Sequence, residues 1–402
     1  MTPKRFMVIA GEASGDILAA ELVSAIREAM QGRSIRSPGA QPLEAGLAPV
    51  FFGAGGHRMA GAGVELAFDL TQESIIGLPG PRRFLRFRSR LNQLVSLACE
   101  RQPHAIICVD FALFNAVFAA AIKKHVRSRR GTFNNWEPKI VKYISPQVWA
   151  SREYRVHKIA RDFDLLLSIF PFEKDWYAAR VPKFRVKFIG HPMIDRYTRP
   201  HSGRLAGKAP DKPSILLLPA SRRAELRRHV PTMLAALALI CKQFPALTAR
   251  MVLPTEQLVE MAKHRGVPEA GVELRLGGIA EALADADLVI SKTGTVTMEA
   301  ALFGVPSVTF YKASWFTYEV GKRIVKINSL TMPNLLAGEQ IFPEFVQGDA
   351  NPENLAKASL ELLTNPARRQ QVQAGLKKIV ASLGGPGASG RAAEAVLKLI
   401  GC

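Results

Sequence analysis

The chain is poor in cysteine, poor in acidic residues relative to basic ones, and lacks any long apolar run. Each shortage excludes something. Four cysteines in 402 residues, Cys99, Cys108, Cys241 and Cys402, stand far apart and form no CxxC pair. That spacing excludes a zinc ribbon or a disulfide framework and points to reduced thiols in a reducing compartment. No stretch approaches the ~18 continuous apolar residues that a spanning helix needs. The first residues run straight into a short strand with no small-residue cleavage site, so no export signal is expected and the chain is read as soluble or surface-bound. Lys and Arg outnumber Asp and Glu by 54 to 34, a net charge of +20. Such an excess favours an anionic partner: nucleic acid, anionic lipid or phosphorylated substrates. The basic runs Lys123–Arg130 and Tyr154–Arg161 lack the interleaved aromatics of a base-stacking platform, so no nucleic acid is expected.

What is present reads as alternating strands and helices. Phe6 to Ala10 is an apolar run followed by Gly11-Glu12-Ala13-Ser14-Gly15-Asp16 and a helical pattern from Ile17 to Met30. Further runs are Val50 to Phe52 before the glycines Gly53, Gly55 and Gly56, Ala105 to Val109 ending at Asp110, Lys139 to Ile144, and Asp164 to Ile169. Runs of this length, each closed by polar loop residues, suit a parallel sheet buried on both faces. Thr198 to Pro213, rich in Gly, Pro, Lys and Arg, reads as a linker. The pattern restarts with strands expected at Ser214–Pro219, Ala249–Pro254, Val272–Leu276, Leu288–Ser291 and Ser307–Tyr311, and ends in helices over 352–400. The expected fold is α/β: two Rossmann-like, doubly wound domains facing a central cleft. The boundaries are drawn at 1–200, 201–360 and a helical tail, 361–402, that could pack back on the first domain.

In such sheets ligands meet the loops at the C-terminal ends of strands. Ser14 and Gly15 sit where backbone N–H groups would face an anion, and the same loop reads equally as a tight turn with a capping side chain. The Gly53–Gly56 glycines are not the spaced dinucleotide fingerprint. Ser221-Arg222-Arg223 offers a hydroxyl and a guanidinium fork at a strand end, suited to a diphosphate. Gly294 and Thr295 repeat the design, and Glu299, one turn further on, can accept both hydroxyls of a ribose; a solvated charge cluster and a capped helix are the plain alternatives. Asp110, leaving a buried strand, is a general base or a helix cap. His191, before Pro192, is a base, a phosphate contact or a structural residue. Around Ile76, Leu78, Arg82, Arg83, Phe84, Leu85 and Arg86, apolar groups framed by arginines suit an anionic bilayer surface, with part of the stripe left for the core.

These motifs, in this order, resemble the lipid-A-disaccharide synthase family of GT-B glycosyltransferases. The matching pieces are Ala10–Asp16, Gly53–Gly56 with Met59, Ser145–Ala150, Phe188–Pro192, Leu217–Arg222, Gly294-Thr295 with Glu299, Pro333–Gly338, and Pro343-Glu344 with Gln347. The resemblance implies inverting transfer of 2,3-diacylglucosamine from UDP to the 6-hydroxyl of 2,3-diacylglucosamine 1-phosphate. It implies Asp110 as base, and Ser221, Arg222, Gly294, Thr295, Glu299, Asn334 and Gln347 as donor-binding residues. Ser14, Gly15 and Asn115 fall to the acceptor. It implies no cofactor and no metal, arginine and helix N-termini serving the leaving diphosphate. Partners implied are the UDP-sugar, the lipid acceptor and the cytoplasmic face of the inner membrane, with a homodimer left open.

The chain departs from the family pattern where Phe111-Ala112-Leu113 follow Asp110, where Ala220 replaces a glycine, at Ser151, and at Leu78-Pro79-Gly80. Alternatives kept open are another GT-B transferase, a UDP-sugar epimerase, and a silent relative that binds lipid precursors.

Overall fold

The structure, a computed structural model, describes residues 3–36, 48–72, 81–131, 134–197, 212–325 and 327–402. It divides into two compact units, Met1–Asp195 with Leu383–Cys402, and Arg196–Ser382. The linker expected at 198–213 lies almost wholly outside the described residues.

The first unit holds seven strands: β1 (Arg5–Ala10), β2 (Val50–Gly55), β3 (Glu65–Asp69), β4 (Ala105–Val109), β5 (Lys139–Tyr143), β6 (Leu165–Ser168) and β7 (Val186–Phe188). Their order is β3-β2-β1-β4-β5-β6-β7 and every pairing is parallel. The second unit holds β8 (Ser214–Leu218), β9 (Thr248–Leu253), β10 (Val272–Leu276), β11 (Leu288–Lys292), β12 (Ser307–Tyr311) and β13 (Glu344–Val346). Their order is β10-β9-β8-β11-β12-β13, again all parallel. Both sheets are doubly wound. The direction of winding reverses between β1 and β4 in one and between β8 and β11 in the other, and a crevice at strand C-termini opens at such points.

Burial explains why these runs are strands. Phe6 to Ala10 and Ala105 to Val109 are wholly buried, as both faces of a helix-covered parallel sheet require. The core of the first unit gathers Met7, Ile9, Ile106, Ile140 and Leu166 from the sheet with Phe114 and Phe118 from the helix Ala112–Arg129. That of the second gathers Leu216, Leu218 and Val289 with Ala300 and Phe303.

The glycines after Phe52 belong to the strand rather than to a loop. A Cβ on Gly53 would stand 1.9 Å from the Val8 carbonyl oxygen, so close pairing with β1 demands glycine there. Gly56 makes room for a carboxylate instead. Buried Asp16 accepts from the backbone N–H groups of Gly56 (2.8 Å), Arg58 (3.0 Å) and Met59 (3.1 Å), the start of the helix His57–Gly61. The side chain thus fills the place an anion would take. Asp16→Ala should lower stability by roughly 2–4 kcal/mol, because three backbone donors lose a charged acceptor. Urea unfolding of the two proteins reads this directly, and an unchanged midpoint would show the clamp to be dispensable.

The helical tail divides. The helices Pro352–Thr364 and Pro366–Ser382 stay with the second unit, and the chain joins the first at Leu383. There the helix Ala388–Leu399 packs along Ala13–Arg36. Asp195 accepts from the N–H groups of Gly387 (2.6 Å) and Ala388 (2.9 Å), and Arg391 donates to the carbonyls of Ile189, Gly385 and Pro386. The boundary at 361 therefore moves to 383. His191 lies in this joint, buried, its Nδ1 accepting from the Met193 N–H at 3.2 Å and its own N–H donating to the Leu383 carbonyl at 2.9 Å.

Candidate active site

In the first unit the switch point brings Ser14, Gly15 and Asp110 together. The helix Ala13–Arg36 starts just past β1, with Ser14 exposed in its first turn. A Cβ on Gly15 would lie 3.8 Å from the Asp110 Cβ, so the helix start and the strand end touch. Asp110 and Phe111 both hold left-handed backbone, at φ 43° and 45°. Aspartate tolerates that region; phenylalanine does so at a cost. Phe111 stacks on Phe114 at 5.3 Å and covers Gly11, which fixes the turn, and Asp110 is half-buried beside it. Leu113, in the segment expected to depart from the family pattern, is 65% exposed on the same helix start.

Two side chains hold this strained turn from beneath. Asn115, expected at the acceptor, is fully buried and donates to the carbonyls of Val109 (3.1 Å) and Asp110 (2.9 Å). Its amide holds the main chain of the turn at Asp110. Lys142 on β5, absent from the expected set, also donates to the Asp110 carbonyl. Burial pushes its ammonium down, opposed chiefly by the nearby Asp110. Burial likewise pushes the neighbouring Cys108 thiol up to about 12, so it stays protonated and inert.

At the second switch point stand Ser221, Arg222, Gly294, Thr295 and Glu299, five of the residues expected to bind the donor. The helix Arg223–Cys241 begins with Arg222 as N-cap and no side chain capping it, so first-turn N–H groups point outward beside exposed Ser221 and Arg222. Glu225 accepts from the Ser221 N–H at 3.4 Å and pairs with Lys292 at 3.3 Å, which ties the loop after β8 to the loop after β11. Gly294 and Thr295 follow Lys292. The Gly294 carbonyl accepts from the Thr297 hydroxyl at 2.7 Å. Glu299 takes a hydrogen bond from the Tyr197 phenol at 3.0 Å, and burial pushes its carboxyl up against that bond. A carboxylate has about four acceptor positions, so room for hydroxyl donors remains.

Asn334 and Gln347 brace neighbouring loops. Asn334 is buried, bonding both the N–H and the carbonyl of Phe342 (2.8 and 2.9 Å). Gln347 accepts from the Ala313 N–H at 2.7 Å. Glu344 collects the Leu330 N–H, the Ser329 hydroxyl and the Asn334 amide. Beside them a cavity of about 1020 Å³ is lined by Tyr311, Tyr318, Leu330, Leu335 and Glu344. Another, about 650 Å³, lies at the opposite end of the first sheet, near Lys139 and Arg185, away from every expected site residue.

Of the bilayer-facing set, Ile76 and Leu78 lie outside the described residues, as do the side chains of Arg82 and Arg83. Phe84 and Leu85 are 55% and 64% exposed at the start of the helix Pro81–Arg101, with Arg86 exposed beside them. Among the described residues no helix is long and apolar enough to cross a membrane. Among them, too, no three His, Cys, Asp or Glu side chains gather as a metal would need.

The family profile described as Lipid-A-disaccharide synthetase matches residues 6–398. The chain belongs to the lipid-A-disaccharide synthase family. Curated members include "Lipid-A-disaccharide synthase" of Myxococcus xanthus, 34% identical over 99% of this chain and 98% of that protein. The synthase of Geobacter sulfurreducens is also 34% identical, over 100% and 98%. Membership makes the chain a glycosyltransferase of lipid A biosynthesis. Solved structures share its fold at low identity. A putative UDP-N-acetylglucosamine 2-epimerase from Listeria monocytogenes superposes with TM-score 0.63 at 16% identity, over 99% of this chain and 95% of that one. The calicheamicin glycosyltransferase CalG4 gives 0.59 at 14%, over all of both chains. These likenesses establish the GT-B fold and leave the choice between epimerase and transferase to the family match, which gives transferase.

Proposed function

We propose that this chain transfers 2,3-diacylglucosamine from UDP to the 6-hydroxyl of 2,3-diacylglucosamine 1-phosphate, with Asp110 as base and the Arg222 loop holding the departing UDP. Inversion in one displacement needs a base on the attacking hydroxyl and stabilisation of the charge developing on the leaving diphosphate. Asp110 supplies the first. Arg222, Ser221 and the open N–H groups of the helix Arg223–Cys241 supply the second, with Glu299 on the ribose. Ser14 and Gly15, against Asp110, take the acceptor. The supporting observation is that the two motif sets sit at the winding reversals of their sheets, each beside the start of a helix.

Phe84, Leu85 and Arg86 extend the proposal to the membrane. An exposed apolar pair beside an arginine, on a chain of net charge +20, suits the anionic cytoplasmic face of the inner membrane, where both acylated substrates would lie. The test presents both substrates in vesicles, anionic or zwitterionic, without added metal, and measures UDP and disaccharide. Equal amounts of the two products are expected, formed faster on anionic vesicles. UDP without disaccharide would reject transfer, and equal rates on both vesicle types would reject the electrostatic docking.

A further inference from the structure

His229 stands in the second turn of the helix Arg223–Cys241, fully buried, and carries no role in the transfer described above. Its ring spans two loops distant in sequence. Nδ1 lies 2.7 Å from the Pro219 carbonyl oxygen, in the turn that presents Ser221 and Arg222. Nε2 accepts from the Lys312 N–H at 3.2 Å, in the turn after β12 that Gln347 also holds through Ala313. Phe310 meets the ring edge-on at 5.0 Å and Tyr311 lies at 6.0 Å, which fixes its plane. Lys312 anchors the same turn again by donating from Nζ to the Thr232 hydroxyl at 2.9 Å.

Both contacts are satisfied at once by one form of the ring, the neutral tautomer with its proton on Nδ1. We propose that His229 is a positioning residue of the donor site, linking the Pro219–Arg222 turn to the Lys312–Ala313 turn so that the guanidinium and helix N–H groups meet the diphosphate in fixed register. The inference rests on the assignment of the Ser221–Arg222 turn to the UDP group.

The link is sensitive to acid. Protonating Nε2 removes the acceptor for the Lys312 N–H and leaves only the longer approach to the Lys312 carbonyl, at 3.3 Å. Burial pushes the ring pKa down from the usual histidine value, and Lys292 from β11 acts in the same direction. Glu225 on its own helix and the two backbone contacts act the other way. Among the described residues the Tyr311 phenol also lies beside the ring, and the Lys312 ammonium is held on Thr232 of the same helix. Because the folded value is depressed, the neutral link is intact above the ordinary histidine value of about 6.5. It is lost as pH falls further, through the folded value.

The experiment compares His229→Leu, His229→Asn and His229→Gln with the unaltered protein. Leucine removes both contacts. Asparagine can reach only the Nδ1 position and glutamine only the Nε2 position. Donor KM should rise about tenfold in the leucine variant and less in the other two, with acceptor KM unchanged, and UDP binding by calorimetry at pH 8 should weaken by a similar factor. The unaltered protein is expected to show an acid decline of kcat/KM for the donor beyond the one that protonation of Asp110 causes, and this added decline should vanish in the leucine variant. A folded asparagine variant with unaltered donor KM, equal changes in both KM values, or an acid limb unchanged in the leucine variant would overturn the proposal. Should the leucine variant fail to fold, the asparagine and glutamine variants decide it by the same KM split. Absence of UDP binding to the unaltered protein at pH 8 would instead overturn the donor-site assignment, and this inference with it.

Discussion

Arg222→Ala should lower turnover about 10²–10³-fold while leaving the melting temperature almost unchanged. The two halves of that expectation have separate causes. The Arg222 side chain is exposed and lies at the N-cap of the helix Arg223–Cys241 without capping it, so removing it disturbs no core packing. Surface changes of that kind stay within about 0.5 kcal/mol. The loss of rate follows because negative charge grows on the diphosphate as the glycosidic bond breaks, and a preorganised charged donor aimed there contributes several kcal/mol to the transition state. Arg222→Lys should recover only part of the rate, since an ammonium keeps the charge without the two-pronged geometry. Arg223→Ala, one residue along and also exposed, is the control for general positive charge. Equal losses in both alanine variants, or full activity in the first, would remove Arg222 from its assigned role. UDP release under single-turnover conditions separates this step from product departure.

The sequence exposes the central strands and hides three of the four sheet edges for a physical reason. β1, β4, β8 and β11 lie inside their sheets and read as continuous apolar runs, because both faces are covered. β3, β7 and β13 went unnoticed. Each lies at a sheet edge, none is fully buried, and two are three residues long, so no apolar run marks them. The same contrast governs the site. Residues that end central strands, Asp110 and the Ser221–Arg222 and Gly294–Thr295 turns, are visible because polar groups follow apolar runs. The residues that brace them are not. Lys142 lies within a strand, His229 within a helix and Glu344 at an edge, and each acts on backbone brought near only by folding. Asn115, Asn334 and Gln347 show the converse: motif membership singles them out, but a motif does not show the main-chain bonds that each makes in the folded chain. Asp16 belongs with them, an acidic motif residue consumed by three backbone donors.

Asp110→Asn should reduce kcat by about 10³-fold, within the range of a general base, with donor KM little changed. Asparagine is the cleaner substitution because residue 110 holds φ 43°, a region asparagine enters as readily as aspartate and alanine enters only with strain. The bonds from Asn115 and Lys142 run to the main-chain carbonyl of residue 110, not to its carboxyl, so they survive the change and the turn keeps its shape. A loss of rate in the asparagine variant is then a loss of proton acceptance rather than of structure. Asp110→Ala should show the same loss together with lower stability, by roughly 1 kcal/mol from the left-handed backbone alone. The comparison separates chemistry from scaffold: equal kcat in the two variants with different unfolding midpoints is the expected pattern. Unaltered kcat in Asp110→Asn would show that another group accepts the hydroxyl proton. It would leave the family membership and the UDP-binding turn untouched, because neither depends on Asp110.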